Sequence, residues 1–138
     1  MVSRKQSIQK TQLSKTKKQT LNVTIDRPIG YTDKFGNVYP LNYGFVEGII
    51  GGDGEEQDVY VLSREISEPI DTFQGDLIAV ITRNDDVEDK WVVAAPNENF
   101  TIEEIREKVH FIEQYFDSEI RLILGENEYA TTEKGGWK

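Results

Sequence analysis

Apolar and polar residues alternate with a period of two along several short stretches, the spacing of a strand with one face buried. Leu21-Asn22-Val23-Thr24-Ile25-Asp26 shows it cleanly. The same reading predicts strands at about 21–26, 38–46, 58–63, 76–83, 90–95 and 119–124. Turn chemistry separates them: Pro28 and Gly30, Gly36-Asn37, Gly51-Gly52-Asp53-Gly54, and Gly75. One segment changes period. Thr101-Ile102-Glu103-Glu104 reads as a capping box, and Ile102, Ile105, Val109, Ile112 and Phe116 recur at helical spacing, predicting one amphipathic helix over about 102–116. Five or six short strands with one late helix predict a mainly β (α+β) domain, a small closed barrel that hides its sheet edges with the helix packed against it. Residue usage agrees: 14 Ile and 11 Val against 7 Leu favour a pleated surface.

At 138 residues the chain is one domain's worth of material. The barrel domain is expected over 21–124, between a basic tail at 1–20 and a polar, Gly-containing tail at 125–138. The first tail holds Arg4, Lys5, Lys10, Lys15, Lys17 and Lys18 with no acid, and its polar composition reads as a solvated, disordered segment. The overall charge is −9, so residues 21–138 hold ten basic against 25 acidic residues, a charge of −15. A body that acidic repels a polyphosphate backbone and argues against nucleic-acid binding. The apolar run Leu77–Ile81 is far shorter than the ~20 residues of a membrane helix, so no membrane partner is expected. There is no Cys and a single His, His110. That excludes thiol catalysis and thiolate metal sites, fits a reducing, cytoplasmic setting, and leaves oxygen ligands for any metal. His110 reads as a surface or structural histidine rather than a catalytic base.

Candidate chemistry sits between residues 39 and 61. Asp53 and Glu55 are two apart and Asp58 opens the next strand, so a turn across the glycines would bring three carboxylates to one barrel rim. Convergent carboxylates repel unless a cation lies among them, and hard divalent ions bind such oxygen-rich sites. A second group, Asp85, Asp86, Glu88 and Asp89, precedes another strand. Facing the first, it would let the two hold more than one metal and bind a charged phosphate ester or anhydride. Taken singly, each cluster also reads as an ordinary solvated turn. Tyr39, Tyr43 and Tyr60 lie near the first cluster, where a hydroxyl can donate to phosphate, although Tyr in a strand is more often packing.

Tyr39-Pro-Leu-Asn-Tyr-Gly-Phe45, followed by Asp53-Gly-Glu-Glu-Gln-Asp-Val59, resembles the Y-P-x-N-Y-G-[YF] and D-G-D-x-x-D-V segments of the soluble family I inorganic pyrophosphatases. The resemblance continues through Lys90–Pro96 and His110–Tyr115 and spans roughly residues 21 to 120. It implies a twisted five-stranded barrel related to the OB-fold, magnesium (or manganese) as cofactor, a small phosphate compound as substrate, and assembly as a homo-oligomer. By position it implies Asp53 and Asp58 as metal ligands, Glu55 in the place of an acid that helps activate water, and Tyr43 and Tyr115 as phosphate contacts. The family spaces a second acid pair five apart, with a Lys two after the second. Here Glu88 or Asp89 offers the second and Asp85 or Asp86 the first, Asp85 with Asp89 being the working assignment.

Three departures stand beside the matches. Thr24 falls near a family glutamate, the stretch before Tyr39 is shortened so that a Lys and an Arg are missing, and Phe116 replaces a Lys. Arg27, Lys34 and Lys90 are the expected substrate-binding cations, with Arg64 and Arg83 as further candidates. The leading expectation is a metal-dependent hydrolase that cleaves pyrophosphate with activated water. The alternative is a degenerate module that binds metal or phosphate without turnover.

Overall fold

A computed structural model of the chain describes residues 19–123; the polar tail expected at 125–138, and all but the last two residues of the basic tail expected at 1–20, lie outside the described residues. The elements are β1 (Thr20–Arg27), β2 (Asn42–Ile50), β3 (Glu56–Leu62), β4 (Thr72–Arg83), β5 (Asp89–Ala94), α1 (Ile102–Glu113) and β6 (Ser118–Leu122). The strands pair in the order β1-β2-β3-β5-β4, and β4 returns to β1, closing a five-stranded barrel; β6 adds to β4 outside the ring. All pairings are antiparallel except β3 with β5. The architecture is the mainly β barrel with one helix that the alternation predicts.

Strand β4 is long enough to serve three neighbours: Thr72–Asp76 pairs with β1, the stretch from Asp76 with β5, and Ala79–Arg83 with β6. Gly75 marks the crossing. A Cβ there would stand 2.4 Å from the Ala94 carbonyl oxygen and 2.5 Å from the Phe73 ring, so only glycine lets the strands approach.

The core has two parts because the strands bury both faces. Val23, Val59, Val61, Phe73, Leu77 and Val93 form a cluster drawn from the barrel strands. Tyr60, Ile81, Val92 and Ile120 pack with Ile105 and Val109 of α1 in the second. Neighbours in sequence thus go to opposite sides, which is why β3 reads as an unbroken Val59-Tyr60-Val61-Leu62 run. Each fully buried aliphatic side chain contributes roughly 1.5–3 kcal/mol.

Three boundaries differ from the sequence reading by three residues or more, the first being β4, which begins at Thr72 rather than at 76. Strand β2 covers 42–50 rather than 38–46. Pro40 has no N–H for a ladder. Val38 bridges to Thr32 instead, while Gly30 N donates to Tyr39 O and Tyr39 N to Tyr31 O, so residues 30–39 form a small hairpin of their own. The helix has the expected capping box at Thr101 and Glu104 but ends at Glu113, not 116. Tyr115 N and Phe116 N donate to carbonyls three residues back, a tightened last turn that carries both aromatics off the helix. His110 is exposed, as a surface histidine should be. No helix among the described residues is long and apolar enough to cross a membrane.

Candidate active site

A cavity of about 500 Å³ opens where the end of β1, the 30–39 hairpin and the end of α1 meet. Its base is aromatic: Tyr39, Tyr43 and Tyr60 stack edge to face, with successive centroids 5.7 and 5.1 Å apart. Three cations line it, Arg27, Arg83 and Lys90. What differs among them is the company each keeps.

Lys90 is buried near the start of β5, and its Nζ donates to Asp58 Oδ2 and Glu88 Oε2, each at 2.6 Å, and to the Tyr43 hydroxyl at 2.8 Å. Strand pairing builds this cluster. Phe45 of β2 lies opposite Asp58 of β3, and Val59 opposite Trp91 of the parallel β5, so residues 58 and 90 rise side by side on the rim. Burial raises the Tyr43 hydroxyl well above its ordinary range, reinforced by the Asp58 charge beside it, so it stays protonated.

Arg83 is buried too, donating through Nε (3.2 Å) and Nη2 (2.7 Å) to Glu113. Burial alone would lower its pKa, but the Glu113 hydrogen bonds and charge outweigh that and hold it above its ordinary value. Arg27 has a different setting. Its Nη1 donates to the Tyr39 hydroxyl at 2.6 Å, and its guanidinium carbon lies 5.5–5.7 Å from the ring centroids of Tyr31, Tyr39 and Tyr43. Among the described residues no carboxylate reaches it within ion-pair distance.

Of the residues singled out in the sequence, Asp58, Tyr43 and Lys90 meet in one cluster, with Arg27 and Tyr115 on the same cavity. Asp53 and Glu55 sit on the exposed 51–55 turn, where Asp53 Oδ1 accepts from Glu55 N at 3.0 Å. That turn abuts the other acidic turn: a Cβ on Gly52 would stand 2.3 Å from the Val87 carbonyl oxygen. Gln57 Nε2, donating to Asp89 O at 2.8 Å, ties the two further. Within the second acid group, Glu88 rather than Asp89 reaches Lys90, because alternation along β5 puts 88 and 90 on one face and 89 on the other. Asp85 is not brought to the cluster; its Oδ2 accepts from Asp117 N at 3.4 Å. Lys34 is exposed, its Nζ 5.4 Å from the Phe35 centroid, and Arg64 is engaged elsewhere with Glu98 and Glu104. Asn42 of the Tyr39–Phe45 motif is structural: its Oδ1 accepts from Ile29 N (2.9 Å) and its Nδ2 donates to Glu68 O (3.2 Å).

Two acids escaped the sequence reading. Asp26 lies within electrostatic reach of Asp58, Arg27 and Lys90, and its carboxyl is raised chiefly by desolvation, Arg27 pulling down and Asp58 pushing up. Glu113 is fully buried, accepting from Tyr60, Arg83 and Ser118. The alternation of β1 placed Asp26 on the polar face, a usable signal; Glu113 interrupted the apolar helix stripe only by its burial, which spacing alone does not reveal.

The resemblance carried by the Tyr39–Phe45 and Asp53–Val59 segments implies a divalent ion. Among the described residues no three acids are grouped as a ready cage. Asp58 and Glu88 nevertheless converge on one positive charge from all-oxygen donors. Mg²⁺ characteristically takes one or two carboxylates and fills its remaining positions with water and substrate phosphate, so this pair fits it in chemistry.

Known proteins point the same way. The family model described as inorganic pyrophosphatase matches residues 4–133. An inorganic pyrophosphatase of Aeropyrum pernix is 39% identical over 80 residues, covering 57% of this chain and 43% of the relative. One from Aquifex pyrophilus is 30% identical over 111 residues, covering 68% and 63%. The chain thus spans less than two thirds of the length of either relative. Among solved structures, the Helicobacter pylori inorganic pyrophosphatase superposes with a TM-score of 0.55 at 18% identity, covering 92% of this chain and 91% of that one. That of Thermus thermophilus gives 0.52 at 15%, covering 76% and 80%. These two likenesses concern the fold. Together with a family match over nearly the whole sequence, the closed barrel and its rim of acids, tyrosines and cations lead to one placement: this chain belongs to the inorganic pyrophosphatase family.

Proposed function

We propose that the chain hydrolyses inorganic pyrophosphate to phosphate with Mg²⁺, or Mn²⁺ in its place, in the cytoplasm and as a homo-oligomer. The observation that carries this reading is the Lys90 cluster, where Asp58, Glu88 and Tyr43 meet beside the cavity that Arg27 lines. Phosphoryl transfer needs both kinds of group, acids for a hard cation and cations for phosphate oxygens. Asp58 and Glu88, with Asp53 on the adjoining turn, would hold the divalent ion, which when bound would neutralise phosphate charge and lower the pKa of a water.

The chain's own residues do the rest. Arg27 binds a terminal phosphate through charge-assisted hydrogen bonds, already oriented by three tyrosines. Tyr43, kept protonated, and Tyr115 at the mouth donate to phosphate oxygens, and Lys90 stabilises charge on the leaving phosphate. Glu55 takes the proton from the attacking water, a role in which Glu55→Gln lowers the rate by about 10²–10⁴. Phosphate release from pyrophosphate with Mg²⁺, parent against Asp58→Asn, tests the reading: a metal-dependent rate lost in the variant supports it, and a retained rate overturns it.

A second reading, binding without turnover, is favoured by one observation. Counting five residues back from Glu88 reaches Arg83, a cation already paired with Glu113, where the family places an acid. A parent that is stabilised by phosphate or pyrophosphate but releases none would establish it.

A further inference from the structure

The cavity is built for more than an inorganic anion. At about 500 Å³ it lies within the size range of small-molecule sites and well beyond what pyrophosphate fills. Its charge does not suit a bare polyanion either. Of its three lining cations, Arg83 is already paired with Glu113 and Asp86, and Lys90 with Asp58 and Glu88, which leaves Arg27 as the lining cation with no carboxylate in ion-pair distance among the described residues.

The mouth adds an aromatic feature that phosphate chemistry uses only through the Tyr115 hydroxyl. Phe35, on the 30–39 hairpin, and Tyr115, just past the end of α1, line the cavity yet are 79% and 65% exposed, two large aromatics left in water. Phe35 is also held in place. Asp33 Oδ1 accepts from both Phe35 N and Asn37 N, Asn37 Nδ2 donates to Asp33 Oδ2, and Gly36 at φ +90° closes the turn. An exposed ring on a locked turn has already lost the backbone freedom that binding would otherwise cost.

We propose that this site takes a diphosphate ester carrying a planar ring, of the nucleoside diphosphate class, with its phosphates at Arg27 and its ring against Phe35 and Tyr115. The phosphate end rests on the hydrolase reading above; the ring end does not. Esterification removes one ionisable oxygen, which suits a cavity whose Arg83 and Lys90 charges are already offset by carboxylates, and the ring fills space that pyrophosphate leaves open. Hydrolysis of such an ester is balanced by water alone. The water oxygen bonds the terminal phosphorus as the bridging P–O bond breaks, the proton passes to Glu55 and on to solvent, and the monophosphate ester leaves.

Binding of ADP, methyl diphosphate and pyrophosphate to the full chain, by calorimetry with and without Mg²⁺, tests this, alongside phosphate release from each. Phe35→Ala is the matching variant, since Phe35 is exposed and its turn is held by backbone donors. The expected result is tighter binding of ADP than of methyl diphosphate, weakened at least about five-fold by Phe35→Ala, the effect of ~1 kcal/mol of base stacking, with pyrophosphate binding unchanged. Equal affinity for ADP and methyl diphosphate, or an ADP affinity indifferent to Phe35→Ala, overturns the proposal even if pyrophosphate is hydrolysed. ADP bound in a Phe35-dependent way without any phosphate release supports the proposal while overturning the hydrolase reading. Absence of binding by all three overturns both.

Discussion

Arg83 and Glu113, thirty residues apart, meet at 2.7 Å with the carboxylate wholly out of water. The Tyr60 hydroxyl and Ser118 Oγ each donate to the same carboxylate at 2.6 Å, and the Arg83 guanidinium carbon lies 3.7 Å from the Phe116 ring centroid. The pair joins β4, β3, α1 and the start of β6, pinning the helix end from which Tyr115 and Phe116 reach the cavity.

Removing one member leaves the other's charge buried alone. Glu113→Ala should therefore cost about 3–5 kcal/mol. Replacing both Arg83 and Glu113 by Met should cost less than that single change, since an apolar pair needs no desolvation. Denaturant midpoints for Glu113→Ala, for Arg83→Met and Glu113→Met singly, and for the double Met variant check this; additive losses in the Met series would mean the pair is not coupled.

Lys90 Nζ lies 2.6 Å from both Asp58 and Glu88, the two carboxylates proposed as ion ligands, so its charge competes with a divalent ion for them. Lys90→Met should therefore raise Mn²⁺ affinity, by roughly tenfold given the Coulomb energy of charges at such separations, while weakening phosphate binding. Calorimetry with Mn²⁺ alone, then with phosphate, separates the two effects. An unchanged Mn²⁺ affinity would show that Asp58 and Glu88 do not bind the ion.

The two acidic turns touch only because residue 52 has no side chain. Gly52→Ala pushes a methyl group into the Val87 carbonyl and should cost about 1–3 kcal/mol. It should also lower phosphate release by more than that loss of folded protein explains. Activity normalised to the folded fraction is the measurement, and proportional losses would remove any role for the contact between turns.

Burial raises the Tyr43 and Tyr60 hydroxyls well above their ordinary range. Below about pH 10 these phenols are protonated in folded and unfolded chains alike, and their contribution to stability is complete. As pH rises through 10, the unfolded chain ionises first, so stability should fall by about 1.4 kcal/mol per pH unit for each of the two. Unfolding midpoints between pH 8 and 11.5 would show this slope, and Tyr60→Phe should reduce it. Phenolate absorbance from all six tyrosines at pH 10.5 in the folded state would contradict it.

Much of this was legible beforehand, for identifiable reasons. The strands carried their own periodicity, and the helix start was written in Thr101 and Glu104, since capping is decided by residues three apart. The β2 boundary was misread because apolar Val38 and Tyr39 continue the alternation, while Pro40 and the partner strand decide the pairing. The site divides the same way. Asp58, Tyr43 and Lys90, singled out in the sequence, lie on regular strands and the structure brings them together, whereas which of Glu88 and Asp89 reaches Lys90 depends on the face each takes at the start of β5. Glu113 lies 53 residues from its Tyr60 partner, so no local pattern announces it.

The order in which the strands lie around the ring also sets when it can exist. β1 has neighbours in β2 and β4, and β3 is flanked by β2 and by β5, the last barrel strand made. During synthesis every intermediate shorter than residue 94 therefore carries at least one bare strand edge, an invitation to pair with another chain. The ring cannot close until the strand ending at Ala94 has been made, because β3 and β4 both pair with it.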